Sequence, residues 1–150
     1  MKPDQIFSQW KKIHTDLLST IDNFDEDELA YKPFQTSWFV GEIALHIANT
    51  EEGWFRYVVA RKYDHWPEDH PLEDYPTKEN IKSVLSKTHL ETERYLESLD
   101  EADLLRSIEA PWGTDYPLLW IIWHVVEHEV HHRGELSLIL GLLGREGLDV

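Results

Sequence analysis

Apolar residues return every three or four positions through the first part of the chain. Ile6, Phe7, Trp10, Ile13, Leu17, Leu18 and Ile21 share one side of a helix that the spacing predicts over about residues 4–24. The segment DEDELAYKPFQT that follows mixes acids with a proline and reads as a connection holding one helical turn. Ser37 is placed to cap a second helix, which carries Trp38, Phe39, Ile43, His46, Ile47, Trp54, Phe55 and Val58 to about residue 61. The three prolines of YDHWPEDHPLEDYP deny it regular structure and make it the longest loop. Thr77 is expected to cap a third helix, whose inner face shows Ile81, Val84, Leu85, Thr88, Thr92, Tyr95, Leu96 and Leu99.

Pro111, Gly113 and Pro117 then punctuate a turn or short irregular hairpin. The last helix is expected to start near Pro117, a residue suited to a first turn, and to run to about Leu143 before Gly144 ends it. Its apolar residues fill more than one narrow stripe, so it is expected to touch several neighbours or a second subunit. Four long amphipathic helices without an alternating strand pattern make an all-α four-helix bundle the economical fold, and 150 residues suit one domain spanning residues 1–150.

Composition narrows the chemistry. The chain has no cysteine, so any metal must be held by nitrogen and oxygen ligands, and no disulfide framework is available. A formal net charge of −15, with the few Lys and Arg scattered, argues against nucleic acid as a partner. The N-terminal MKPDQIFSQWKK lacks the apolar core of a secretory signal, and the greasiest run, residues 118–126, is broken by His124; no membrane span and a cytoplasmic location are expected.

The informative stretch is WHVVEHEVHHRGEL, residues 123–136. His128 and His132 lie four apart and so stand one turn above each other on a helix, able to offer two imidazole nitrogens to one ion. A surface cluster of histidines is the bland alternative, but unpaired imidazoles would be costly inside so apolar a helix. His46, on the line Phe39, Ile43, His46 and Thr50, is the best third ligand from another element. His124 is a possible fourth, one turn back on nearly the same line. His14 and His89 are read at the margins of apolar stripes, where helix edges face water, and His65 and His70 as solvated loop residues.

Residues 128–132 also spell H-E-x-x-H, the zinc-protease helix motif, but Glu135 and Leu138 stand where the extended form needs Gly and His. A di-iron carboxylate bundle needs two Glu-x-x-His pairs, and only Glu129 to His132 has that spacing.

LHIANTEEGWF in the second helix and APWGTDYPLLWIIWHVVEHEVHHRGELSLILGLLG in the last third, taken in order, resemble the DinB/YfiT-like superfamily, most specifically in EHEVHHRGEL with its upstream histidine. The resemblance implies an up-down-down-up four-helix bundle, usually dimeric, with a metal held by His46, His128 and His132. It implies zinc or nickel, with iron or manganese as other divalent ions, and relatives that act on low-molecular-weight thiols such as bacillithiol or mycothiol. Glu135 stands where that pattern commonly has glutamine.

Three neutral imidazoles leave such an ion its full charge and at least one open position, the arrangement of catalytic sites. The expectation is therefore one divalent ion per chain activating a small thiol or water, in a low-molecular-weight-thiol S-transferase or a small-molecule hydrolase. Glu135 shares the face of His128 and His132, where it would steady an imidazole, bind the metal or act as a base. Asn49, Trp112 and Tyr116 are candidates for the pocket mouth. The alternative is a noncatalytic metal-binding or regulatory helical-bundle dimer.

Overall fold

The computed structural model describes residues 1–148; the domain end expected at residue 150 lies outside them. Four helices carry the fold: α1 (Ser8–Asp22), α2 (Val40–Glu52), α3 (Lys78–Glu97) and α4 (Leu118–Leu142).

The first predicted helix is in fact two pieces. A single turn, Pro3–Ile6, precedes α1, and Phe7 breaks the run with φ −98° and ψ 18°. The break lets Phe7 bury its ring edge-on against Trp123, centroids 5.5 Å apart. Ser37 does not cap α2 as expected, because its hydroxyl donates to the Phe34 carbonyl inside a turn (2.8 Å). The Glu42 carboxylate instead accepts from the Phe39 N–H (2.9 Å), so the helix starts at Val40 and leaves Trp38 outside it.

Beyond Glu52, α2 continues as a π-helix, Gly53–Val59, and the chain turns out at Arg61 with φ 52°. Gly53 is required there: a Cβ at this position would lie 2.3 Å from the Trp66 ring. Thr77 caps α3 as expected, its hydroxyl accepting from the Asn80 N–H (3.1 Å). The segment before α4 is an antiparallel hairpin of β1 (Ser107–Glu109) and β2 (Asp115–Pro117), and Gly144 closes α4 with φ 79°.

Contacts at the helix ends fix the topology. Lys78, at the start of α3, donates to the carbonyls of Asp22 and Phe24, so α3 runs antiparallel to α1. Gly41 and Ile81, both in first turns, are neighbours, so α2 and α3 are parallel. Arg145, just past α4, binds Asn23, Asp25 and Glu28 just past α1, so those two are parallel. The bundle is therefore up-down-down-up, and the long connection over residues 60–77 supplies the crossover that parallel neighbours need.

The core is in two parts. One holds Leu17, Ile43, Leu85 and Leu136; the other holds Trp10, Trp54, Leu96 and Ile122. Between them every helix contributes a buried polar side chain: His14 from α1, Glu51 from α2, His89 from α3 and Glu129 from α4. Among the described residues no helix is long and apolar enough to cross a membrane.

Candidate metal centre

Antiparallel packing of α2 on α4 sets His46 opposite His128 and His132. The Nε2 atoms of His46 and His128 are 3.0 Å apart, and one candidate ligand atom from each of the three rings lies within 4.8 Å of the others. Two imidazole nitrogens cannot face each other across 3.0 Å with both lone pairs bare, so a proton or a cation must sit between them. The Thr50 hydroxyl is 3.3 Å from His128 Nε2.

Asp69 and Glu135 favour a proton on His46, but burial and the neighbouring His132 ring outweigh them. Burial pushes His128 down to about 3, with the neighbouring His132 and His46 rings adding to the effect, and burial likewise lowers His46. Both imidazoles are therefore neutral, the form in which they bind metal. His132 is oriented separately: its Nδ1–H donates to the Glu135 carboxylate (2.8 Å), which leaves Nε2 with its lone pair. Glu135 thus reaches the centre through His132.

A cavity of about 220 Å³ opens beside the cluster, lined by Trp38, Glu42, His46, Asp69, His70 and Pro71. Because α2 starts late, the Trp38 ring is free to lie edge-on to His46 (4.6 Å) and near-parallel to His132 (6.2 Å). The far wall belongs to the proline-rich loop. Asn49, 2 % exposed, fastens that loop by donating to the carbonyls of Pro67 (3.0 Å) and Glu68 (2.9 Å) and accepting from the Trp66 indole N–H (3.0 Å).

Several expectations change here. Asn49 is a buried loop anchor and does not line the mouth. His70, read as solvated, is half-buried in the cavity wall because the loop is tied down, and it lies 3.5 Å from Glu52. Trp112 and Tyr116 pack edge-on against Trp54 (each 5.7 Å) and are absent from the cavity lining. His124 stacks on Trp120 (4.9 Å, planes 7° apart), outside the metal-capable group. His14 and His89, placed at helix edges by the sequence, are 6 % and 5 % exposed. Glu129, about 100° around α4 from His128, is buried and engaged by the Trp10 indole N–H, from which it accepts, and by His14, so the H-E-x-x-H letters do not give the two histidines a free glutamate.

Trp38, His70 and the anchoring role of Asn49 were missed because all three depend on how loops pack. A signal for His14 and His89 was present: each continues a line of core residues, Trp10, His14, Leu17 and Leu85, His89, Leu96.

The Bacillus subtilis protein YjoA, described as uncharacterized, is 30% identical over 130 residues, covering 85% of this chain and 81% of that protein. A DinB-like protein from Bacillus cereus superposes with a TM-score of 0.83 at 17% identity, covering 100% of this chain and 99% of the other. A mycothiol-dependent maleylpyruvate isomerase superposes with a TM-score of 0.62 at 10% identity over 88% of this chain and 60% of its own. The profile described as the DinB family matches residues 1–150, and with the bundle topology and histidine placement already described, this chain belongs to the DinB family.

Proposed function

We propose that the whole chain acts as one metal-dependent catalytic domain, in which His46, His128 and His132 hold one divalent ion that activates a small thiol or water against a small electrophile. The reading is that of a low-molecular-weight-thiol S-transferase or small-molecule hydrolase. The observation that carries it is the meeting of three imidazoles at the edge of a 220 Å³ cavity, with His46 itself in the wall. The donor set fits the group: nitrogen ligands, neutral by burial, suit zinc or nickel, and iron or manganese less well. When bound, such an ion supplies Lewis-acid activation and lowers the pKa of water or a thiol.

The chain's own residues do the rest. Glu135 fixes the tautomer and direction of His132, and Trp38 lies edge-on to His46 at the side of the cavity. Asn49 holds the loop that closes the cavity. Glu42 and Asp69 give that cavity an acidic character, and among the described residues its lining includes no Lys or Arg, which favours neutral or cationic substrates over anionic ones. The likeness of fold to a mycothiol-dependent isomerase supports a thiol cosubstrate. The exposed apolar side chains Trp123, Val130, Leu138 and Leu142 of α4 support a homodimer through that helix, and the composition supports action in the cytoplasm.

The test is a panel of physiological thiols against 1-chloro-2,4-dinitrobenzene and activated esters, run on zinc-loaded protein, chelator-treated protein and His128→Ala. Thioether formation or hydrolysis that disappears in the last two supports the proposal. Metal-loaded protein inert to the whole panel returns the noncatalytic metal-binding dimer to first place.

A further inference from the structure

The polar layer that divides the core has the composition of a second ligand set. His14 Nδ1 lies 3.0 Å from Glu129 Oε1, and His89 Nδ1 lies 3.1 Å from Glu51 Oε1. One ligand atom from each of His14, His89 and Glu129 falls within 4.8 Å of the other two. Two atoms each about 2.1 Å from one ion are at most about 4.2 Å apart, so the 4.8 Å spread must tighten for the three to share an ion. Both carboxylates are 1 % exposed, and the Nε2 atoms of His14 and His89 are buried without a hydrogen-bond partner. The three donors come from α1, α3 and α4, and Glu51 of α2 lies against His89, so the layer draws on all four helices as interior metal sites of bundles do.

Charge makes the case stronger. Glu51 and Glu129 bring two negative charges into the interior, while the buried Arg133 faces Asp16 at 3.4 Å. Protonating both imidazoles would balance them, but the two rings stack face to face with centroids 4.0 Å apart, and two imidazolium ions in that contact repel strongly away from water. One divalent cation with neutral imidazoles balances the same two charges without that repulsion. The two ring planes are 11° apart, so convergence of a nitrogen from each on one ion requires one ring to turn about its Cβ–Cγ bond. A cavity of about 80 Å³ includes Glu51, Thr88 and Thr92 in its lining, and a smaller one of about 10 Å³ touches His89 and Trp10.

We infer that His14, His89 and Glu129, with Glu51 beside them, form a second site for a first-row divalent cation in the centre of the bundle, separate from the three-histidine centre. The donor set of two imidazoles with carboxylate suits iron, manganese or zinc. This inference stands whether or not the three-histidine centre binds metal.

Chelator-stripped full-length protein is titrated with zinc chloride by calorimetry, and the bound zinc is counted by elemental analysis. The expectation is about two ions per chain for the unaltered protein, about one for His128→Ala, and none tightly held by His128→Ala combined with His89→Gln. Circular dichroism and melting of each variant establish folding, and Glu51→Gln in the His128→Ala background, which keeps both imidazoles, must weaken the remaining ion. A folded His128→Ala protein that holds no zinc overturns the inference and leaves a buried ion-pair layer. So does one whose remaining zinc is indifferent to both His89→Gln and Glu51→Gln. Failure of the three-histidine reading alone has a different signature, a single ion that survives His128→Ala and is lost with His89→Gln.

Discussion

Two neighbouring residues of α4, His128 and Glu129, point about 100° apart into different surroundings. The His128 side joins imidazoles from two helices at the lip of a cavity, with the nearest carboxylate, Glu135, engaged on His132. The Glu129 side joins carboxylates and imidazoles from four helices in the closed interior. The same imidazole group responds in opposite ways. Burial drives His128 down to about 3, whereas at His89 burial also opposes the charge but the bond and charge of Glu51, helped by Glu129, win and raise it. Without metal, whether a buried histidine sheds or keeps its proton thus depends on whether a carboxylate accompanies it into the core.

The contrast breaks most visibly in stability. Removing the Glu129 carboxylate leaves the Trp10 indole N–H and His14 without their buried acceptor. In metal-free protein Glu129→Ala should cost about 3–5 kcal/mol in urea unfolding, the usual penalty for breaking a buried pair from one side. His128→Ala, one residue away but half-buried and neutral, should cost about 1 kcal/mol or less under the same conditions. Equal losses in the two variants would show that the two faces of α4 do not differ as described.

The sequence was more informative about one face than the other, for physical reasons. His128 and His132 are four apart on a long apolar helix, and helical geometry alone places them together. His46 followed from its apolar line on α2. The buried layer is hard to read from the chain because His14 and His89 fall beside apolar stripes, although each extends a core line by one turn; their partners, Glu51 and Glu129, look like ordinary surface acids until four helices are assembled around them. The bundle itself was legible from hydrophobic spacing, and the Thr77 cap and Gly144 stop from local chemistry. The late start of α2 was not, because Ser37 and Glu42 compete for the capping role and only the Phe34 turn decides between them.

A smaller effect sharpens the open face. Glu135 touches His132 and acts through it, so Glu135→Ala should weaken zinc at the three-histidine centre by about 10–100-fold while leaving folding nearly unchanged. Glu135→Gln keeps an acceptor for the Nδ1–H and should recover part of that loss. Competition with a chromophoric chelator measures both. Equal affinity in all three proteins would mean that the His132 contact does not orient the ligand.

The mildest effect, and the one that tests the comparison from both sides, is the pH dependence of metal-free stability. The folded His128 value of about 3 lies below the ordinary 6.5, so as pH falls below 6.5 the unfolded chain takes up a proton first. Its contribution is complete above pH 6.5 and is lost as pH falls toward 3. His89 is raised, so its contribution is complete below pH 6.5 and is lost as pH climbs through its higher folded value. Because the His128 ring is only half-buried, its slope should fall well short of the ~1.4 kcal/mol per pH unit of a full proton. Urea midpoints from about pH 5.5 to 6.5, above the ordinary carboxylate value of 4.5 from which Glu52 is lowered, should flatten in His128→Gln and not in His89→Gln. Above pH 6.5 the roles should exchange. An alkaline limb unchanged in His89→Gln would mean that Glu51 does not hold a proton on that ring, and the opposition between the two faces of α4 would reduce to burial alone.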